Sequence, residues 1–228
     1  MSNIVRIGVV DGAITPELHY STLPLTAKIF NRTIPNSLVN KRFQRSHADQ
    51  VAEVIYGYTK NISIFSANVF GPSNATDVDV VIDALEWMAD LRMDIVNLSF
   101  GTIQYNKKFE NVCEKIRNSG SIIVCSSPAR GNVVFPAAFD SCTAVTGDAR
   151  CAPNELSYIN NGTALFGAHP YIYANNPECG GGSSFAAARF TGYVSDLLSH
   201  GTRENTLIEE IKSSCVYFGP ERKLYGKK

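Results

Sequence analysis

Short apolar runs alternate with helical patterns along almost the whole chain, and this constrains the fold more than any other feature. Strand-like runs occupy residues 5–10, 62–70, 94–98, 121–127, 142–146 and 171–173, with helical stretches at 48–59, 78–92, 107–118, 184–199 and 205–214. Strands separated by helices pair in parallel, because the chain must cross back over the sheet before the next strand can run in the same direction. The helices then cover both faces of the sheet. The predicted fold class is α/β, a three-layer α/β/α arrangement with a mostly parallel central sheet. No repeat, low-complexity tract or linker divides the 228 residues, so residues 1–228 read as one domain with a basic, solvated tail at 221–228.

Composition narrows the function. Charged residues make up only 18% of the chain and the formal net charge is zero, so no long-range field draws it to nucleic acid or to an anionic membrane. No apolar run is long enough to span a bilayer. Six cysteines occur without a C-x-x-C pair. That spacing predicts no metal site, and a core of this size needs no disulfide framework, so all six are expected as free thiols. Cys113 and Cys125 fall inside apolar patterns, where a thiol packs as a small hydrophobe. No secretion signal precedes the first strand, and the expected compartment is the cytoplasm. No cofactor is predicted, while calcium sites and oligomeric state are not legible.

Three residues carry chemistry. Asp11 ends the first apolar run, at the carboxyl end of a strand, where open α/β sheets bind their ligands. His47 opens a helical stretch in which Ser46 and Asp49 have capping-box spacing. Ser184 follows Gly180-Gly181-Gly182-Ser183 and leads into an alanine-rich helix. A serine hydroxyl becomes a nucleophile when an imidazole takes its proton. The imidazole in turn needs an acceptor for its second N–H. Asp11, His47 and Ser184 supply those three parts. Each has a plainer alternative: Asp11 as a turn residue, His47 as a capping histidine, and the glycine-rich helix start as a phosphate cradle. No lysine follows the glycines as a phosphate loop requires, and their position late in the chain favours the nucleophile.

At these positions the chain resembles the subtilisin-like serine peptidases. Their Asp-Ser/Thr-Gly appears as Asp11-Gly12-Ala13, and their His-Gly-Thr-His-Val-Ala as His47-Ala48-Asp49-Gln50-Val51-Ala52. Their Gly-Thr-Ser-Met-Ala-Ala-Pro appears as Gly182-Ser183-Ser184-Phe185-Ala186-Ala187-Ala188, with Gly192 in register. Their substrate-strand motif matches Asn97-Leu98-Ser99-Phe100-Gly101. The resemblance runs from Ile4 to about Leu198 and implies catalytic roles for Asp11, His47 and Ser184. It also implies substrate binding at Ser99, Phe100, Gly101, Ser126 and Ser127. The family's oxyanion asparagine falls on Ala129 in an ungapped alignment, or on Asn132 after a short shift that recreates Gly131-Asn132. Ala48, Gln50 and Ala188 depart from the pattern.

The resemblance implies a serine endopeptidase acting on a peptide or protein through an acyl-enzyme, with leader removal from a precursor as one specialised form. Two alternatives stay open. One is a catalytically weak or inactive peptide-binding scaffold, and the other is an acyl-transfer ligase or cyclase. His19, His169 and His200 lack partner spacing and are expected at the surface. Arg189 and Phe185 are expected at packing or surface positions. The apolar stripe Val78, Ile82, Leu85, Trp87, Leu91 predicts the helix face that packs on the sheet, with Trp87 at its margin.

Overall fold

A computed structural model describes residues 3–15, 25–30, 45–71, 74–173 and 180–221. Its strands are β1 (Val5–Asp11), β2 (Leu25–Ile29), β3 (Ile62–Asn68), β4 (Ile95–Leu98), β5 (Ile122–Ser126), β6 (Cys142–Gly147), β7 (Leu156–Tyr158), β8 (Phe166–Ala168) and β9 (Tyr217–Phe218). The helices are α1 (His47–Tyr56), α2 (Val78–Leu91), α3 (Lys107–Asn118), α4 (Ser183–Ser199) and α5 (Glu204–Ser214). All nine strands form one sheet in the order β2-β3-β1-β4-β5-β6-β8-β7-β9. Every pairing is parallel except β7 with β8.

Side chains of successive strand residues point to opposite faces, so one strand feeds two cores. On β1, Val5, Ile7 and Val9 enter a cluster with α1, α4 and α5, while Val10 enters a second cluster with α2 and α3. The sheet is thus sandwiched between two helical layers, as the alternation predicted. Phe166 and Phe190, both fully buried, stack at 4.9 Å between β8 and α4. Burying each such side chain contributes about 1.5–3 kcal/mol.

Three sequence expectations change. Residues 171–173 are not a strand. Tyr171 makes only an isolated bridge to Gly181. The buried face of α2 is Val81, Ala84, Leu85, Met88 and Ala89, whereas Val78, Ile82 and Leu91 are only partly buried along its flanks; Trp87 is partly buried at the margin, as expected. Small alanines let the helix approach the sheet closely, and the bulky residues close the sides. Strands β7 and β8 fall between residues 149 and 170, where the sequence patterns showed neither strand nor helix. Each has three residues, too few for an alternation to register. Most of the basic tail, residues 222–228, lies outside the described residues.

Candidate active site

The strand order turns at β1. The chain moves from β1 to β3 on one side and then returns to β4 on the other, opening a crevice beyond the carboxyl ends of β1 and β4. Asp11, the last residue of β1, is 3% exposed and lies in that crevice. Its Oδ1 accepts from the Gly12 N–H at 2.6 Å, and its Oδ2 lies 2.9 Å from His47 Nδ1.

His47 is brought there by the start of α1. Ser46 caps the helix, accepting from Asp49 N at 3.0 Å, while Asp49 Oδ2 accepts from Ser46 N at 2.9 Å. The buried Asp49 carboxylate also takes the Thr15 N–H at 2.6 Å and the Thr15 hydroxyl at 3.0 Å. The Ser46 hydroxyl donates to the Ala13 carbonyl at 2.8 Å. The first turn of α1 is therefore latched to the segment directly after Asp11. Asp49 was legible as half of a capping box, but its hold on Thr15 was not.

Asp11 raises the pKa of His47 above its ordinary value, chiefly by accepting the Nδ1 hydrogen bond and further by its charge, against the opposing effect of burial. The histidine side chain is 44% exposed while that of Asp11 is 4% exposed. One edge of the imidazole therefore stays open. The ring also packs against Phe185, with centroids 5.6 Å apart. Phe185 is thus a packing residue, as expected.

Ser184 is the second residue of α4. Gly182, the N-cap, has φ of 148°, a conformation that favours glycine, and its N–H donates to the Pro170 carbonyl at 2.9 Å. The first-turn N–H groups of a helix have no partner within it, so the Ser184 N–H belongs to a set of donors suited to negative charge. The Ser184 hydroxyl donates to the Ser99 carbonyl at 3.0 Å, its one hydrogen bond among the described residues. Helices α1 and α4 approach closely because residue 192 is glycine. A Cβ there would lie 2.5 Å from Tyr58 Cδ2 and 3.0 Å from the Ile55 carbonyl. With Phe185 against His47, the histidine and serine sit at one end of the sheet.

Ser99, just past β4, and Ser126, the last residue of β5, are both buried. Ser127 is buried too, and its hydroxyl is committed to the Thr163 carbonyl at 2.8 Å. Phe100 meets Phe70 edge-on at 5.4 Å and lines, with Gly101, a cavity of about 720 Å³. Gly101 faces Val134, and Thr102 exchanges backbone hydrogen bonds with Phe135. Ala129 and Asn132 both lie on the exposed stretch 129–133, with Gly131 at φ of 112°.

His169 corrects the sequence expectation: it is 8% exposed, with Nδ1 2.8 Å from the Cys151 carbonyl. Arg189 is buried and donates to the carbonyls of His169, Tyr171 and Ile172, tying α4 to the chain that leads to the glycines. His200 is exposed beside Asp196, as expected, and His19 and Cys179 lie outside the described residues. The other five cysteines are unpaired. Among the described residues, no group of three or more His, Cys, Asp or Glu side chains is placed to hold a metal ion, and no helix is long and apolar enough to cross a membrane.

A family profile described as the Subtilase family matches residues 40–206. Subtilisin DY of Bacillus licheniformis is 24% identical over 157 residues, 64% of this chain and 57% of its own length. The halolysin-like extracellular serine protease Nep of Natrialba magadii is 32% identical over 88 residues, 38% of this chain and 16% of its own. This chain thus spans little more than half of the first relative and a much smaller part of the second. Two solved structures share the fold. A cold adapted subtilisin-like serine proteinase has a TM-score of 0.68 at 15% identity, covering 97% of this chain and 90% of that one. The prenylagaramide maturation protease PagA has a TM-score of 0.67 at 16% identity, covering 87% and 77%.

Proposed function

The chain belongs to the subtilase family, and from that premise we propose that it is a serine endopeptidase working through an acyl-enzyme. The observation that carries this reading is the Asp11–His47 contact at 2.9 Å, with the His47 ring packed on Phe185, the residue that follows a serine at a glycine-capped helix start. Asp11 holds the Nδ1 proton of His47, which leaves Nε2 as the base. The Ser184 hydroxyl turns from the Ser99 carbonyl to His47, gives up its proton and attacks the scissile carbonyl. The oxyanion that forms meets the Ser184 backbone N–H and, on our reading, a side-chain donor from Asn132. Protonated His47 then delivers its proton to the leaving amine.

The substrate is proposed as an extended peptide added as a strand along Ser99–Gly101. Leader removal and transfer to an amine share this acyl-enzyme. They differ in whether water or an amine accepts the acyl group, and in whether the peptide released is a leader. For compartment we retain the cytoplasm, supported by the five free thiols among the described residues. The test is digestion of a mixed peptide library followed by mass spectrometry. Cleavage that disappears in Ser184→Ala is the expected result. A folded protein that cleaves nothing would favour the scaffold, and ligated products would favour acyl transfer.

A further inference from the structure

Below the crevice lies a buried polar chain that the three site residues leave unexplained. Asn97 on β4 and Thr191 on α4 are both fully buried. The Thr191 hydroxyl donates to Asn97 Oδ1 at 3.0 Å, and Asn97 Nδ2 donates to the Ser99 hydroxyl oxygen at 2.9 Å. The Ser99 carbonyl in turn accepts from the Ser184 hydroxyl at 3.0 Å. Thr191 lies seven residues after Ser184, two helical turns on, so both stand on one face of α4. Helix α4 is therefore joined to the end of β4 at two points, directly at its first turn and through Asn97 two turns below.

Burying a hydroxyl and an amide in an apolar core is costly unless each is paired, and here each is paired with the other. An apolar pair of similar volume would hold the two elements together without that requirement. A hydrogen-bonded relay adds direction and length: it fixes how far α4 slides along β4. That sliding coordinate sets the height of Ser184 relative to the Ser99 carbonyl, and so relative to a peptide lying on Ser99–Gly101.

We propose that Thr191 and Asn97 are positioning residues, holding the nucleophile helix in register with the strand that presents the substrate. The proposal rests on the serine peptidase reading only for its kinetic consequence. The geometric consequence stands alone. In Thr191→Val the methyl replacing the hydroxyl cannot donate, so Asn97 Oδ1 loses its partner and α4 loses its tie to Asn97, while the bond from Asn97 Nδ2 to Ser99 keeps its donor. An error of about 1 Å in the alignment of reacting groups costs up to roughly 10²-fold in rate.

The experiment pairs a structure of Thr191→Val with the rate at which a fluorophosphonate labels the protein. Thr191→Ala is the fallback should the valine variant not fold. The expected results are a lost or lengthened Ser184–Ser99 contact and labelling slowed roughly 10–100-fold. Thr191→Ser, which restores the donor, should recover both. Val194→Ala is the control for mere destabilisation. It opens a cavity in the same helix without touching the relay, and should lower the melting temperature while the labelling rate holds. An unchanged Ser184–Ser99 contact in Thr191→Val would overturn the proposal, as would a slowing by Val194→Ala equal to that of Thr191→Val. If the contact breaks in Thr191→Val yet wild-type protein takes no label, the relay stands and the nucleophile reading falls.

Discussion

His47 Nδ1 lies 2.9 Å from Asp11 Oδ2, pairing a half-exposed imidazole with a carboxylate that water scarcely reaches. The buried carboxylate keeps its acceptor fixed, and the pKa of His47 rises above 6.5 mainly through that hydrogen bond. Catalysis as proposed needs neutral His47. The acid limb of kcat/KM should therefore rise through a midpoint above 6.5, the value of an unperturbed histidine. Stability runs the other way. The pair contributes fully below pH 6.5, and that contribution is lost as pH climbs through the raised value. Asp11→Asn should lower the midpoint and cut turnover roughly 10⁴-fold. A pH profile unchanged by Asp11→Asn would mean that Asp11 does not set the state of His47.

The latch at the start of α1 makes a second prediction. Asp49→Ala removes the capping-box carboxylate and strands the Thr15 donors, which should cost about 1–3 kcal/mol by chemical denaturation. Because the latch places His47 over Asp11, the surviving folded protein should also lose activity. Full activity in folded Asp49→Ala would show that α1 needs no tether to the 12–15 segment.

Gly192 on α4 sits against Ile55 of α1, where the two helices that carry the serine and the histidine pack together. In Gly192→Ala the new methyl lies 2.5 Å from the Tyr58 ring, closer than side chains pack, and 3.0 Å from the Ile55 carbonyl, which must give by a few tenths of an ångström. The tyrosine can swing aside, but the carbonyl belongs to the backbone of α1. A loss of about 1–3 kcal/mol is expected, with a fall in activity as α1 is pushed away. Wild-type stability in this variant would contradict the tight crossing.

For the oxyanion position, Asn132→Ala should lower turnover about 10²–10³-fold with little change in KM, since that bond strengthens in the transition state. If Ala129 holds the position instead, Asn132→Ala will be nearly silent and Ala129→Asn will accelerate the enzyme. Steady-state kinetics on the two variants separates these outcomes.

The cysteines give a prediction independent of catalysis. Burial pushes the Cys151 and Cys215 thiols up to about 11, and Cys113 and Cys125 are fully buried, so among the five described cysteines native alkylation should begin at the partly exposed Cys142. In denaturant without reductant all six should react. A mass short of six adducts would reveal a disulfide and an oxidising compartment.

Much of this was legible in the sequence. The bounds of α3 match residue for residue, because Asn106 caps it and its apolar spacing is regular. The strand end at Asp11, the capping box beside His47 and the glycines before Ser184 were legible, and the structure has each of these local features; the catalytic roles are the proposal. What sequence could not convey depends on tertiary contact. Strand β2 is exposed along most of its length and shows no alternation, and β9 has only two residues. Thr191 and Asn97 look like ordinary helix and strand residues until α4 is laid on β4. His169 looked like a surface residue because nothing local announces its bond to the Cys151 carbonyl.

The central claim is that Ser184 is a nucleophile activated by His47, and covalent capture tests it without knowledge of the substrate. A fluorophosphonate should add a single label to wild-type protein, found by mass spectrometry on the peptide carrying Ser184 and absent from both Ser184→Ala and His47→Ala. Folded wild-type protein that takes no label, or a label that persists in Ser184→Ala, would contradict the account.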